Sequence, residues 1–469
     1  MIKRICAWIV MFAVVVLPVA GQQASPPIAN PPPAKAPSEE FLKTADQVLQ
    51  DMSKLLALPI LSPLKKSLRS REEIRDFVVR QMKEDKEPEK RYADQRVLEK
   101  FGLIPKGFPL EQFLVDLLTE QIAGLYDPKS QEFFIADWID PDEQRTVMAH
   151  ELTHALQDQH FHVEKWEDAA KPNDDAELAR DAVLEGSAMA AMLDYELRER
   201  GLSVRELPDI GRLAKSQMLG ETDNSPMLAK APQYIRDELL FPYLAGVRFT
   251  QKVLQANSGW ADFYKVFPNP PASTQQILHP ELYLKGSVAE KITLPDLSKV
   301  FPAPWKKLDE NLMGEFGLQE VLKQFLGEDR SEQLAPAWAG DRYAILENQQ
   351  NKNLILIFRL RLATEEQAAH FFGNYSEALE KKYEHRKDLF RRPNFFSFDT
   401  EEGGVFLRCV GQECVCSEGA DRAAFDRLTR ALGWPAGPAA PQPPGKTGIA
   451  DILRRPPRQS IPISSIAAP

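Results

Sequence analysis

Residues 137–160, DWIDPDEQRTVMAHELTHALQDQH, admit one local structure, a capped helix. Asp140 is placed as N-cap, Pro141 fits the first helical position and Glu143 stands at the capping-box position. Val147, Met148, Leu152, Ala155 and Leu156 recur at helical spacing, so the helix should be mostly buried. On such a helix His150 and His154 lie about 40° apart around the axis and can aim two imidazoles at one ion. Glu151 projects from the neighbouring edge, where a carboxylate can take a proton from water without serving as a ligand.

Two positions could complete a metal set. His160 follows His154 by six residues, and a helix continued that far turns it about 240° away. Gln157 has no reason to break the helix, since it lacks the freedom of glycine at positive φ. The other position is Glu185, in AVLEGSAMAAM, on a second long helix marked by Asn173 or Asp174 as cap and Gly201 as stop. Its neighbours Ala182, Val183, Leu184, Ala188 and Met189 are apolar, and a carboxylate among them calls for a cation. Gly186 would let the two helices approach closely.

An HExxH helix behind a hairpin (LYDPKSQEFFIAD, turning at Asp127-Pro128-Lys129-Ser130) resembles the zincin metallopeptidases over residues 110–285. The resemblance implies a catalytic Zn²⁺ held by His150, His154 and a third ligand, with Glu151 as catalytic base. It also implies an edge strand ahead of the helix that aligns an extended peptide; FFIAD, residues 133–137, is in that place. In the metzincin branch, HExxHxxGxxH, a glycine stands where this chain has Gln157, and the third ligand would be His160. In gluzincin-like members a glutamate from a downstream helix completes the set, and Glu185 matches it.

The chain departs from that branch at Met189, where many members carry an aspartate that orients a histidine; Asp158 or Asp181, one turn from His154 and Glu185, could stand in. The segment from Asp237 to Pro280 looks like the C-terminal part of uncharacterised secreted bacterial zincin-like proteins. Within that resemblance His279 is expected as the catalytic donor that stabilises the oxyanion, with Tyr283 as its rival and Tyr126 as a weaker choice. His162, His370 and His385 look like surface residues.

A chain of 469 residues implies two or three domains, here of an α+β, mostly helical class. The formal charge of −10, with no Lys/Arg cluster, argues against nucleic acid as a partner. Lys3 and Arg4 lead an apolar run into Val19-Ala20-Gly21, the layout of an export signal over residues 1–21; an uncleaved anchor is the alternative. The product would be exported, periplasmic or extracellular, with no later segment able to span a membrane. A Pro-rich linker (22–39) leads to an N-terminal helical segment (40–109) of two or three amphipathic helices, then the zincin-like domain (110–290). A connecting helical segment (291–339), a small α+β domain (340–434) and a disordered Pro-rich tail (435–469) follow. Cys409 should pair with Cys414 or Cys416, leaving one thiol over.

Two functions fit. One is a secreted zinc-dependent peptidase, endo- or exo-acting, with a peptide or protein substrate. The other is a catalytically silent binding or assembly protein of the cell envelope that keeps the fold.

Overall fold

The computed structural model describes residues 37–84, 88–211 and 225–438. The expected signal peptide, nearly all of the expected linker and the tail beyond residue 438 lie outside the described residues. Among the described residues no helix is long and apolar enough to cross a membrane. The fold is α+β, with helices in the first two thirds and an antiparallel sheet at the C-terminal end.

Three helices occupy the N-terminal segment: α1 (Glu39–Leu56), α2 (Arg71–Glu84) and α3 (Pro88–Phe101). Ser38 caps α1 by accepting from the Phe41 amide, and the helix buries Phe41, Ala45, Val48, Leu49 and Met52 at helical spacing. Between α1 and α2 lies a strand absent from the sequence reading, β1 (Lys65–Arg69). Helix α4 (Leu110–Gln121) leads into the hairpin of β2 (Gly124–Asp127) and β3 (Glu132–Ala136), and the three strands form a sheet in the order β1-β3-β2.

This order corrects one expectation. FFIAD does not supply an edge strand: β3 is central, parallel to β1 on one side and antiparallel to β2 on the other. The cause is visible in the run Phe133–Ala136, buried at every position. An unbroken apolar run suits a strand covered on both faces. Its hidden partner, KKSLR, has no apolar alternation to betray it.

The HExxH helix, α5 (Pro141–Phe161), starts as expected, with Asp140 accepting from the Asp142 amide and Pro141 in the first turn. After a short helix, α6 (Val163–Asp168), the second long helix α7 (Asp174–Leu197) is capped by Asn173, whose side chain accepts from the Ala176 amide. Helix α8 (Gln233–Ala256) then crosses α7. Gly186 does allow a close helix approach, but the partner is α8 and not the HExxH helix: a methyl on Gly186 would overlap the backbone of Gly246.

The sheet begins earlier than residue 340. Strand β4 (Trp305–Asn311) and helix α11 (Gly314–Leu326) arise from the segment expected to be a helical connection; two short helices, α9 (Thr274–Leu278) and α10 (Pro280–Leu284), precede them. Strands β5 (Trp338–Asn348) and β6 (Leu354–Leu362) with helix α12 (Glu365–Lys382) form one unit. Strands β7 (Lys387–Arg392), β8 (Phe395–Thr400), β9 (Gly403–Val410) and β10 (Glu413–Ala420) with helix α13 (Arg422–Ala431) form the next. The seven strands run antiparallel in the order β4-β5-β6-β10-β9-β8-β7.

Alternation along each strand feeds two cores. Tyr343, Phe358, Leu407 and Cys414 face α3, α11 and α12, whereas Leu346, Ile357, Phe406 and Val415 face α13. Cys409 and Cys414, opposite each other on β9 and β10, form the disulfide, and Cys416 is the buried free thiol. Trp434 lies against the α13 core, and the first residues of the expected tail are tied to it: Arg408 and Arg422 donate to the carbonyls of Pro435 and Pro438.

Candidate metal centre

α5 and α7 together bring three ligand atoms into one triangle. His150 Nε2 lies 3.1 Å from Glu185 Oε2 and 3.1 Å from His154 Nε2, and His154 Nε2 lies 3.4 Å from the same carboxylate oxygen. Ligands bound at about 2.0–2.2 Å around a tetrahedral ion stand about 3.3 Å apart, so the triangle has the dimensions of one tetrahedral face. All three residues are buried. The set His150, His154 and Glu185 could therefore hold a metal ion.

The unpartnered atoms point the same way. Glu185 Oε1 and His150 Nδ1 are buried without hydrogen-bond partners, as are both carboxylate oxygens of Glu151. An orphaned buried polar group of this kind costs about 1–3 kcal/mol and calls for an explanation. Glu151 is fully buried on the same helix, and a methyl on Gly124 of β2 would run into Val147 and crowd the Glu151 side chain. Gly124 is thus where β2 comes close to α5, which a side chain there would prevent.

The electrostatics follow from burial. Desolvation pushes His150 down against the hydrogen bond and charge of Glu185, with His154 nearby adding to the lowering, and a lowered imidazole favours the neutral form that ligates. Burial alone would raise Glu185, but the charge of His154 and the hydrogen bonds from both histidines outweigh it and hold the carboxyl at about 2. Glu151 goes the other way: burial, then the charge of Glu185, drive it well above the carboxylate range, against a weaker pull from the Tyr126 backbone amide.

Other expected residues are engaged elsewhere. The helix runs unbroken through Gln157, whose side-chain amide donates to Ser187 Oγ on α7 at 2.8 Å. His160 instead meets the Pro59 carbonyl, 2.8 Å from its Nε2. Asp158 accepts from the Tyr126 hydroxyl at 2.9 Å and from the Val163 amide. Asp181 shares a hydrogen bond with Glu167, whose carboxyl is raised by burial and by the charge of Asp181.

His279, expected as the oxyanion donor, makes a contact that the sequence reading did not foresee. Its Nε2 lies 2.7 Å from Glu315 Oε1 at the start of α11, so the ring ties α9 and α10 to the sheet unit. Pro280, which starts α10, fixes the turn that sends it there. Tyr283 donates to the Asn269 carbonyl. His162, His370 and His385 are exposed, as expected.

Sequence reasoning missed Tyr243 on α8. Its buried ring lies 6.4 Å from that of His150, tilted by 31°, beside the site. Nothing in FPYLAG marks it, because the signal is the helix crossing at Gly246.

Comparison with known proteins reaches only the sheet. Residues 302–429 match a family described as a domain of unknown function (DUF8575), a stretch that does not include His150, His154 or Glu185. No curated protein matches the chain, and no solved structure does.

Proposed function

We propose that the protein is a zinc-dependent peptidase with a gluzincin-like ligand set, and that it hydrolyses peptide bonds of an exported or envelope substrate. The observation that carries this reading is the triangle of His150, His154 and Glu185 with an unliganded, buried glutamate, Glu151, on the next position of the helix. A purely structural site has no use for that second carboxylate. A zinc ion there would supply Lewis acidity toward the scissile carbonyl and the attacking water. Ionised beside that positive charge, which opposes the burial and the Glu185 repulsion that raise it, Glu151 would take the proton from that water and return it to the departing amine. The two histidines and Glu185 hold the ion, and the Gln157–Ser187 hydrogen bond keeps their helices in register. The disulfide between Cys409 and Cys414 supports an oxidising compartment, in line with the signal-like N-terminus.

A second reading, a catalytically silent binding or assembly protein, has one observation in its favour. His150 and Glu151 are fully buried and Glu185 is 2 % exposed, as in a closed site. The test is the zinc content of purified protein followed by cleavage of casein, with the Glu151→Gln variant alongside. Zinc at one equivalent with cleavage lost in Glu151→Gln supports the peptidase. Zinc without cleavage by either protein supports the silent reading.

A further inference from the structure

The sheet unit is joined to α7 by a chain of buried polar contacts that ends ten residues before Glu185. Asp341 on β5 accepts from the Met313 and Gly314 amides at 2.9 and 3.0 Å and from the Trp338 indole at 2.8 Å, which fixes the start of α11. From α11 the Phe316 amide donates to Thr274 Oγ1 at 3.1 Å, and that hydroxyl donates to Asp175 Oδ1 at 2.5 Å. The Thr274 amide donates to the same oxygen at 3.1 Å. Gly314 has positive φ and sits directly against the Asp175 carboxylate, where a side chain would collide with it. Asp175, Thr274 and Asp341 are buried.

A second tie runs beside the first. Asn311 at the end of β4 accepts from the Asp174 amide at 3.1 Å. The Lys90 ammonium is surrounded by Asp94 of α3, Asp174 of α7 and Asp309 of β4. These three carboxylates have the spacing of a cation site, but Lys90 is the cation that fills it. The N-terminal turn of α7 is therefore clamped by α3, α9, α11 and β4 at once. From Asp175 to Glu185 the helix rises about 15 Å without a break.

We infer that the C-terminal sheet unit, including the stretch that matches a domain of unknown function, serves as the positioning element for the metal-ligating helix, acting through Thr274, Asp175 and Asn311. The inference rests on the metal reading of the site. It assigns the sheet a role in ligand geometry, distinct from a separate binding module. A rigid helix carries a displacement at its first turn to Glu185, and a carboxylate moved by a fraction of an ångström no longer closes the tetrahedral face.

The experiment compares full-length wild type with Thr274→Val, Thr274→Ser and Asn311→Ala. Zinc affinity is measured by chelator competition, the visible spectrum is recorded after cobalt(II) loading, and thermal unfolding is recorded for each protein without metal. Thr274→Val keeps the shape and loses the hydroxyl. The expected result is zinc affinity lower by about tenfold, the range seen for residues that support metal ligands, with an altered cobalt spectrum. Thr274→Ser restores both, and Asn311→Ala shows a loss in the same direction. Zinc affinity and cobalt spectrum unchanged in both Thr274→Val and Asn311→Ala, with only the melting temperature lowered, would overturn the inference while leaving the metal reading intact. A wild type that takes up no zinc or cobalt would overturn both.

Discussion

At the scale of single residues, the ligand assignment separates into variants with opposite outcomes. Glu185→Ala removes the only carboxylate in the triangle and should abolish zinc binding, whereas His160→Ala, which loses a contact to the Pro59 carbonyl, should keep one equivalent. Elemental analysis of the two proteins decides it, and zinc lost from His160→Ala alone would reverse the assignment. Glu151→Gln should retain the metal, since neither of its oxygens belongs to the triangle, and lose roughly 10²–10⁴ in kcat of casein cleavage. The grouping of His150, His154 and Glu185 was legible because spacing on a helix fixes direction and because an acidic residue among apolar neighbours is conspicuous. The pairing of His279 with Glu315 was not, because the two lie 36 residues apart with no local sign of contact.

At the scale of elements, the crossing of α7 and α8 depends on two glycines with no space above them. Gly186→Ala and Gly246→Ala each place a methyl into the opposing backbone, which cannot give way as a side chain would. Each should cost about 3 kcal/mol, the upper part of the range for overpacking, seen as a melting temperature lower by several degrees. Gly373→Ala, on an open face of α12, should be neutral or slightly stabilising. The turn at His279 adds a pH dependence. Its hydrogen bond to Glu315 raises the imidazole above the ordinary value against the opposing effect of burial. The stabilisation is therefore complete below pH about 6.5 and is lost as the pH climbs through the raised value. The gap in melting temperature between wild type and His279→Gln should narrow from pH 6 to pH 9; a gap that widens would contradict the pairing. Helix boundaries were read from caps and stops because those signals are local. Strand β1 and the order β1-β3-β2 were not, since pairing partners 67 residues apart leave no mark on either segment.

At the scale of the whole molecule, the helical part and the sheet are expected to unfold together. Val97 and Phe101 of α3 belong to the core of the sheet, and Lys90 on the same helix joins α7 to β4. Strain on the sheet should therefore reach the metal centre through shared elements. The disulfide offers a way to apply it at a distance: Cys409 and Cys414 close a loop of sequence separation 5 on β9 and β10. Replacing both with serine removes roughly 2 kcal/mol by loop-closure entropy. Urea unfolding of cobalt-loaded protein then gives two signals, tryptophan fluorescence, to which Trp305, Trp338 and Trp434 of the sheet unit contribute, and the visible absorption of the metal. The double variant should lower both midpoints by the same amount, because one cooperative transition carries both. Metal absorption that persists beyond the loss of fluorescence would show that the helical part stands alone, and would confine the influence of the sheet to the positioning of α7.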